Sequence, residues 1–180
     1  MFRRLFATRE TPAPSPRIHR VADIEPLQLA IMPRLRGGDE LDAELAQLAT
    51  GGLVHLVSLL EHEEMLEMGL EREAQACDRH GIRFHRYPVR DHGTPEDMDD
   101  FARFVDDLVP PARAGEAIGI HCMAGIGRSG LTAGCLMLRC GQPLRLIFPQ
   151  LSRARGLSVP ETTEQALWFR EFARRHAPDR

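Results

Sequence analysis

Lysine is absent from this chain, and all 23 basic side chains are arginine. An anion pocket here cannot be lined by ammonium groups; guanidinium forks and backbone amides are what remain. Cysteine is scarce too. Cys77, Cys122, Cys135 and Cys140 show neither CxxC spacing nor the pattern of a zinc site, so no metal and no cofactor is expected. The formal net charge is only −3, which supplies neither the basic footprint of a nucleic-acid binder nor a polybasic membrane surface. No apolar run is long enough to span a bilayer, and none of signal-peptide length follows the basic first residues. Internal repeats and a second-domain linker are also missing. These absences predict a cytoplasmic monomer with no nucleic-acid or membrane partner. Tyr87 is the sole tyrosine, and Trp168, the sole tryptophan, reads as a packing residue.

What is present suits one folded unit. With 180 residues, 43% of them hydrophobic, the chain can bury a substantial core. Residues 1–16, Pro-rich from Thr11 to Pro16, read as a flexible tail, and residues 17–180 as a single domain. Ile18 to Met32 holds two short apolar stretches that suit edge strands. Gly38-Asp39 opens a helix with Leu41, Leu45 and Leu48 on one face, closed by Gly51-Gly52. Leu53 to Leu60 reads as a buried parallel strand. A charged helix from Glu63 to His80 ends at Gly81, and Ile82 to Val89 alternates like a strand.

Thr94-Pro95-Glu96-Asp97 has the make-up of a helix start, and Met98, Phe101, Phe104, Val105 and Leu108 follow at helical spacing until Pro110-Pro111. Ala117 to His121 is a strand, and a helix runs on to about Cys140. Pro143 to Ser152 is helical, with Pro149 expected to kink or shorten it. Ser158-Val159-Pro160 begins the last helix, whose apolar face is Ala166, Leu167, Phe169, Phe172 and Ala173. Strands alternating with helices predict an α/β fold, with a mainly parallel central sheet of about four to five strands flanked by helices on both faces.

The chemistry concentrates in His121-Cys122-Met123-Ala124-Gly125-Ile126-Gly127-Arg128-Ser129-Gly130. A strand precedes this run and a helix follows it. A tight loop at a helix N-terminus presents converging N–H groups and positive potential, a pocket for a tetrahedral dianion. Met123, Ala124, Gly125, Ile126 and Gly127 supply the amides, and Arg128 can grip two oxygens with its planar fork. Cys122 sits in that field, which favours thiolate over thiol. A thiolate facing a phosphate is a nucleophile for phosphoryl transfer.

This run resembles the signature of the cysteine-dependent protein tyrosine phosphatase superfamily: His-Cys, five residues, Arg, then Ser or Thr. The match is closest to compact dual-specificity and kinase-associated members. It extends from about Leu27 to Phe172, and it implies a protein tyrosine phosphatase-like fold. The resemblance implies a general acid from an upstream loop. Tyr87-Pro88-Val89-Arg90-Asp91-His92-Gly93-Thr94-Pro95 supplies one in Asp91, although Asp beside Gly also caps turns. His92 either touches substrate or is a solvated loop residue. His121 is expected to bond loop backbone and shape the cysteine's surroundings. Ser129 is expected to donate to the Cys122 sulfur as it departs. Gln165 either approaches the hydrolytic water or only caps and packs. Arg155 is either a second anion contact or the partner of an acid.

The family's Asn-x-Tyr phosphotyrosine loop is missing, so a shallow cleft open to phosphoserine and phosphothreonine as well as phosphotyrosine is expected. The reading that follows is a phosphomonoester hydrolase acting on phosphoproteins or phosphopeptides through a phosphocysteine. Its rivals are a phosphatase for an inositol phosphate or an RNA 5′ end, a phosphate-binding module without turnover, and a rhodanese-type sulfur carrier. Met123 and Ile126 stand where inositide-directed relatives carry lysines.

Overall fold

A computed structural model describes residues 17–177; the predicted tail at 1–16 lies outside them. Five strands form one mixed sheet: β1 (His19–Arg20), β2 (Gln28–Met32), β3 (His55–Ser58), β4 (Arg83–Arg86) and β5 (Ala117–His121). Their order is β1-β2-β5-β3-β4, parallel throughout except where β1 runs against β2. The second apolar stretch before Met32 is therefore an inner strand and not an edge. Its residues Leu29 to Met32 are all buried, as a strand covered on both faces must be.

Helices α1 (Leu41–Thr50), α2 (His62–Glu67) and α3 (Glu73–Arg79) belong to one side of the sheet. There Leu41, Leu45, Leu48, Leu56 and Ile82 share a core cluster with Met65 and Ala76. On the other side lie α4 (Met98–Arg113), α5 (Gly127–Arg139), α6 (Leu144–Arg155) and α7 (Thr163–His176). Phe101, Val105, Leu136, Ile147, Phe169 and Phe172 form the larger core between them and the sheet. The expected α/β sandwich is the observed one.

Several boundaries differ from the sequence reading. The single helix expected over Glu63 to His80 is two, α2 and α3. The break falls at Gly69, whose φ of +67° suits glycine. Its carbonyl accepts from the Gly38 amide at 2.9 Å. Tertiary contact, invisible to helical periodicity, divides this segment. The α4 start shifts as well: Asp97, not Thr94, is the cap, accepting from the Asp99 and Asp100 amides at 2.9 Å each. Pro110 and Pro111 do not stop α4, which runs to Arg113. Both lie in its last turns, where burial of Leu108 and Ala112 offsets the lost bonds.

Pro149 likewise sits inside α6, which continues past Ser152 to Arg155. The last helix begins at Thr163 and not at Ser158. Thr162 caps it in a box with Gln165, each bonding the other's backbone amide. Leu167 of its predicted apolar face is exposed, and Trp168 packs in its place, stacked on Phe172 at 5.5 Å and edge-on to Phe101.

Candidate active site

The sheet delivers Cys122 to the carboxyl end of its central strand, β5, where open α/β sheets hold ligands. From there the chain turns through residues 123–126 into α5. Gly125 makes this turn possible: its φ is +72°, and a Cβ would lie 2.4 Å from the Met32 carbonyl carbon. No side chain caps the start of α5, and its first turn holds no acid. The free N–H groups of that turn are therefore left for a ligand. From outside, the Arg34 amide donates to the Met123 carbonyl at 3.1 Å. Arg155 donates from Nε to the Gly125 carbonyl at 3.0 Å and from Nη2 to the Ala124 carbonyl at 3.2 Å. Among the described residues no carboxylate pairs with Arg155; its two bonds brace the carbonyls of the loop.

Cys122 is buried, and its Sγ lies 3.5 Å from Ser129 Oγ. Arg128 is also buried, and its guanidinium holds four contacts. Glu64 takes one edge of the fork, with Oε2 at 2.7 Å from Nη1 and Oε1 at 2.8 Å from Nη2. The Val89 carbonyl accepts from Nη1 at 2.9 Å, and Asp91 Oδ1 stands 2.7 Å from Nη2. Nε makes no hydrogen bond among the described residues. Burial alone would lower the Arg128 pKa, but the bonds to Glu64 and the charges of Cys122, Glu64 and Asp91 outweigh it and raise it. For Glu64 burial pushes up, yet the Arg128 bond and the Glu61 amide hold its carboxyl below the usual value. Glu64 is the site residue that sequence reasoning missed. It sits in a run of acids on α2, and only the break at Gly69 and the packing of α2 aim it at Arg128.

Asp91 is half exposed at the mouth of the site. His92, next to it, has φ +58°, and its ring lies 3.6 Å from Asp91 Oδ2 and 3.5 Å from Glu161 Oε2. Gln165 is fully buried; its amide donates to the Gly93 carbonyl at 3.1 Å and its oxygen accepts from the Glu161 and Thr162 amides. Between the readings left open for Gln165, this geometry favours capping and packing, since it ties the Asp91 loop to the start of α7. Tyr87 anchors the other end of that loop, 5.0 Å from the rings of Phe101 and Phe104. His121 differs from expectation. Its ring makes no bond to loop backbone but faces Glu73, with Nε2 3.0 Å from Oε1. The described residues hold no cluster of side chains able to bind a metal ion, and no helix long and apolar enough to cross a membrane. All four cysteines are free.

A thiol beneath an uncapped helix start, a clamped arginine and a carboxylate from a separate loop define the site of a cysteine-dependent phosphatase fold. The family model described as "Polymorphic toxin system, DSP-PTPase phosphatase" matches residues 32–142, more than half of the chain, and the chain belongs to that family. It is 31% identical over 111 residues to "Putative tyrosine phosphatase 067L" of Invertebrate iridescent virus 3, covering 56% of this chain and 40% of that protein. It is 24% identical over 134 residues to "Cyclin-dependent kinase inhibitor 3" of Rattus norvegicus, covering 73% and 63%. The chain thus spans less than two thirds of the length of these curated relatives. Among solved structures, kinase associated phosphatase superposes with a TM-score of 0.80 at 19% identity, over 91% of this chain and 97% of that one. Tk-PTP in its active form gives 0.64 at 26% identity, over 82% and 91%.

Proposed function

We propose that this chain hydrolyses phosphate monoesters on proteins through a phosphocysteine at Cys122. The observation that carries the proposal is the fork of Arg128: Glu64 occupies one edge, and on the other edge Nη2 meets a half-exposed carboxylate, Asp91. An incoming phosphate takes Nε and Nη2, displaces Asp91 from Nη2, and leaves it beside the departing oxygen. The Cys122 thiolate attacks phosphorus as the ester P–O bond breaks, and protonated Asp91 gives its proton to the leaving oxygen. The loop amides and Arg128 hold the equatorial oxygens, where charge stabilisation and positioning supply most of the rate. Water then attacks phosphorus, Asp91 takes its proton, the P–S bond breaks, and Ser129 donates to the returning thiolate.

Phosphoproteins are the proposed substrates, with phosphotyrosine, phosphoserine and phosphothreonine all admitted. The names of the relatives support protein targets. The absence of lysine from residues 123–127 speaks against an inositide. The test is Cys122→Ser: it should abolish hydrolysis of an aryl phosphate while vanadate or phosphate still binds, because the amides and Arg128 remain. Turnover comparable to the unaltered protein would overturn the covalent route. Relative turnover on phosphopeptides, inositol phosphates and RNA 5′ ends separates the substrate classes.

A further inference from the structure

Away from Cys122, the turn that joins α5 to α6 and the last two turns of α7 leave an open groove of about 900 Å³ between them. Its lining is partly apolar: Leu138 and Ala173 are buried, and Leu144 is exposed. Arg145, Arg170 and Arg174 line it as well, and no carboxylate does. Arg174 is turned onto Glu171, an exposed pair that binds weakly. Arg145 and Arg170 are exposed, and among the described residues neither makes a hydrogen bond or an ion pair. In a chain with more acids than bases, 26 against 23, a groove with three guanidiniums and no acid is a segregated patch of positive potential.

The carbonyls at the neighbouring helix ends are already taken. Met137 and Leu138 accept from the Gln142 and Gly141 amides at 2.9 Å each, Arg139 from the Arg113 side chain, and His176 from that of Arg139. An occupant must therefore bring negative charge and apolar side chains together. Two segments of this chain fail that test. Residues 1–16 hold three arginines and one acid, so the groove repels them. The densest acidic run, Glu96 to Asp100, is committed elsewhere: Asp97 caps α4, Asp99 meets Arg175, and Asp100 holds Arg103 and the Tyr87 hydroxyl. A second copy would have to give up these bonds to insert that run.

We propose that this groove docks an acidic segment with apolar side chains, carried by the phosphoprotein substrate at a distance from its phosphorylated residue. Carboxylates meet Arg145 and Arg170, where they steer association and fix the direction of the segment, and an aliphatic side chain covers Leu138, Ala173 and Leu144. The 13 residues of α5 lead from the Cys122 loop to the groove, a distance of about 20 Å at about 1.5 Å per residue. An extended chain at about 3.3–3.6 Å per residue spans this with roughly six residues, and a path over the surface takes more. A tethered phosphate is then held at a raised effective concentration beside Cys122, which lowers KM and leaves kcat in place. The inference rests on phosphoproteins being the substrates, but binding in the groove is read without turnover.

The experiment uses a short fluorescein-labelled peptide in which pairs of glutamates alternate with leucines. Fluorescence anisotropy should show saturable binding that weakens with added salt and falls by roughly tenfold or more in the double variant Arg145→Glu, Arg170→Glu. Replacing the peptide's glutamates by lysines, or its leucines by serines, should each abolish binding. Both arginines are exposed, so the double variant should match the unaltered protein in melting temperature and in kcat/KM on a small aryl phosphate. A phosphotyrosine peptide joined to the acidic segment by a flexible spacer should show a lower KM than the same phosphopeptide alone, at equal kcat, and the double variant should erase that difference. No binding of the glutamate–leucine peptide, or equal binding by the double variant, overturns the inference. So does sedimentation that finds a dimer which the double variant dissolves, or binding to phosphatidylserine vesicles in preference to the peptide. Peptide binding in the groove without hydrolysis of the phosphopeptide would instead overturn the phosphoprotein reading on which the inference rests.

Discussion

Replacing Glu64 by glutamine changes one atom's chemistry at the arginine fork. The carboxylate gives Arg128 two charge-assisted bonds, at 2.7 and 2.8 Å; the amide keeps one acceptor and turns an N–H toward a guanidinium that already donates. A hydrogen bond to a charged group is worth about 1.5–3 kcal/mol, and Arg128 is buried, so little water can replace it. If the lost bond also orients the edge that meets phosphate, the same energy is withdrawn from the transition state. At 1.36 kcal/mol per tenfold, kcat/KM should fall by roughly 10- to 150-fold. The melting temperature should fall by roughly 3–12 °C for a domain of this size.

The pH dependence of that stability has a definite sign. Arg128 holds the folded Glu64 carboxyl below its ordinary value, so its contribution is present above about pH 4.3, the unfolded glutamate value. It is lost as pH falls through the lower folded value. Thermal melts from pH 7 down to pH 3 should therefore show a shallower acid decline in Glu64→Gln than in the unaltered protein. Kinetics with an aryl phosphate and inhibition by vanadate complete the assay. Unchanged kcat/KM and vanadate affinity would show that Glu64 does not orient the fork, and the clamp argument would fail.

Three further outcomes are expected. Asp91→Asn should cost about 10²–10⁴-fold on phosphopeptides, the usual worth of general acid catalysis, and far less on activated aryl phosphates; equal losses on both would make Asp91 a turn residue. Mild peroxide should oxidise Cys122 before the others, because burial and the nearby acids push the Cys77 thiol up to about 12 and burial raises Cys135 well above the usual thiol value; mass spectrometry finding another cysteine modified first contradicts this. Arg155→Met should weaken vanadate binding by roughly tenfold or more, since two charge-assisted bonds behind the loop are lost, and an unchanged inhibition constant would show that the loop holds its shape without them.

The sequence exposed the parts of this site that are contiguous. Cys122 to Ser129 form one strand–loop–helix unit, so residue types and spacing alone placed the thiol, the amides and the fork. The α/β architecture was legible for a similar reason, since apolar strand segments alternate with helical periodicities along the chain. What was not legible depends on contacts between distant segments. Glu64 and Glu73 look like two members of one charged helix until the Gly38–Gly69 bond divides it and sends one acid to Arg128 and the other to His121. The family resemblance marks Gln165 and Arg155 as candidates, yet their partners, the Gly93, Gly125 and Ala124 carbonyls, are backbone groups that no side-chain pattern reveals. Prolines misled because burial of Leu108 and Ala112 offsets the backbone bonds that Pro110 and Pro111 cannot make in the last turns of α4.

The central claim is that phosphate passes through a covalent bond to Cys122. Rapid acid quench of the Asp91→Asn protein with an aryl phosphate addresses this most directly, because a good leaving group departs without the acid while hydrolysis of the intermediate, which needs the base, is slowed. Peptide mass spectrometry of the quenched protein should find one phosphate, on Cys122, building up within the first turnover and decaying as phosphate is released. Steady hydrolysis with no phosphate on Cys122, or with phosphate on another residue, would contradict the account.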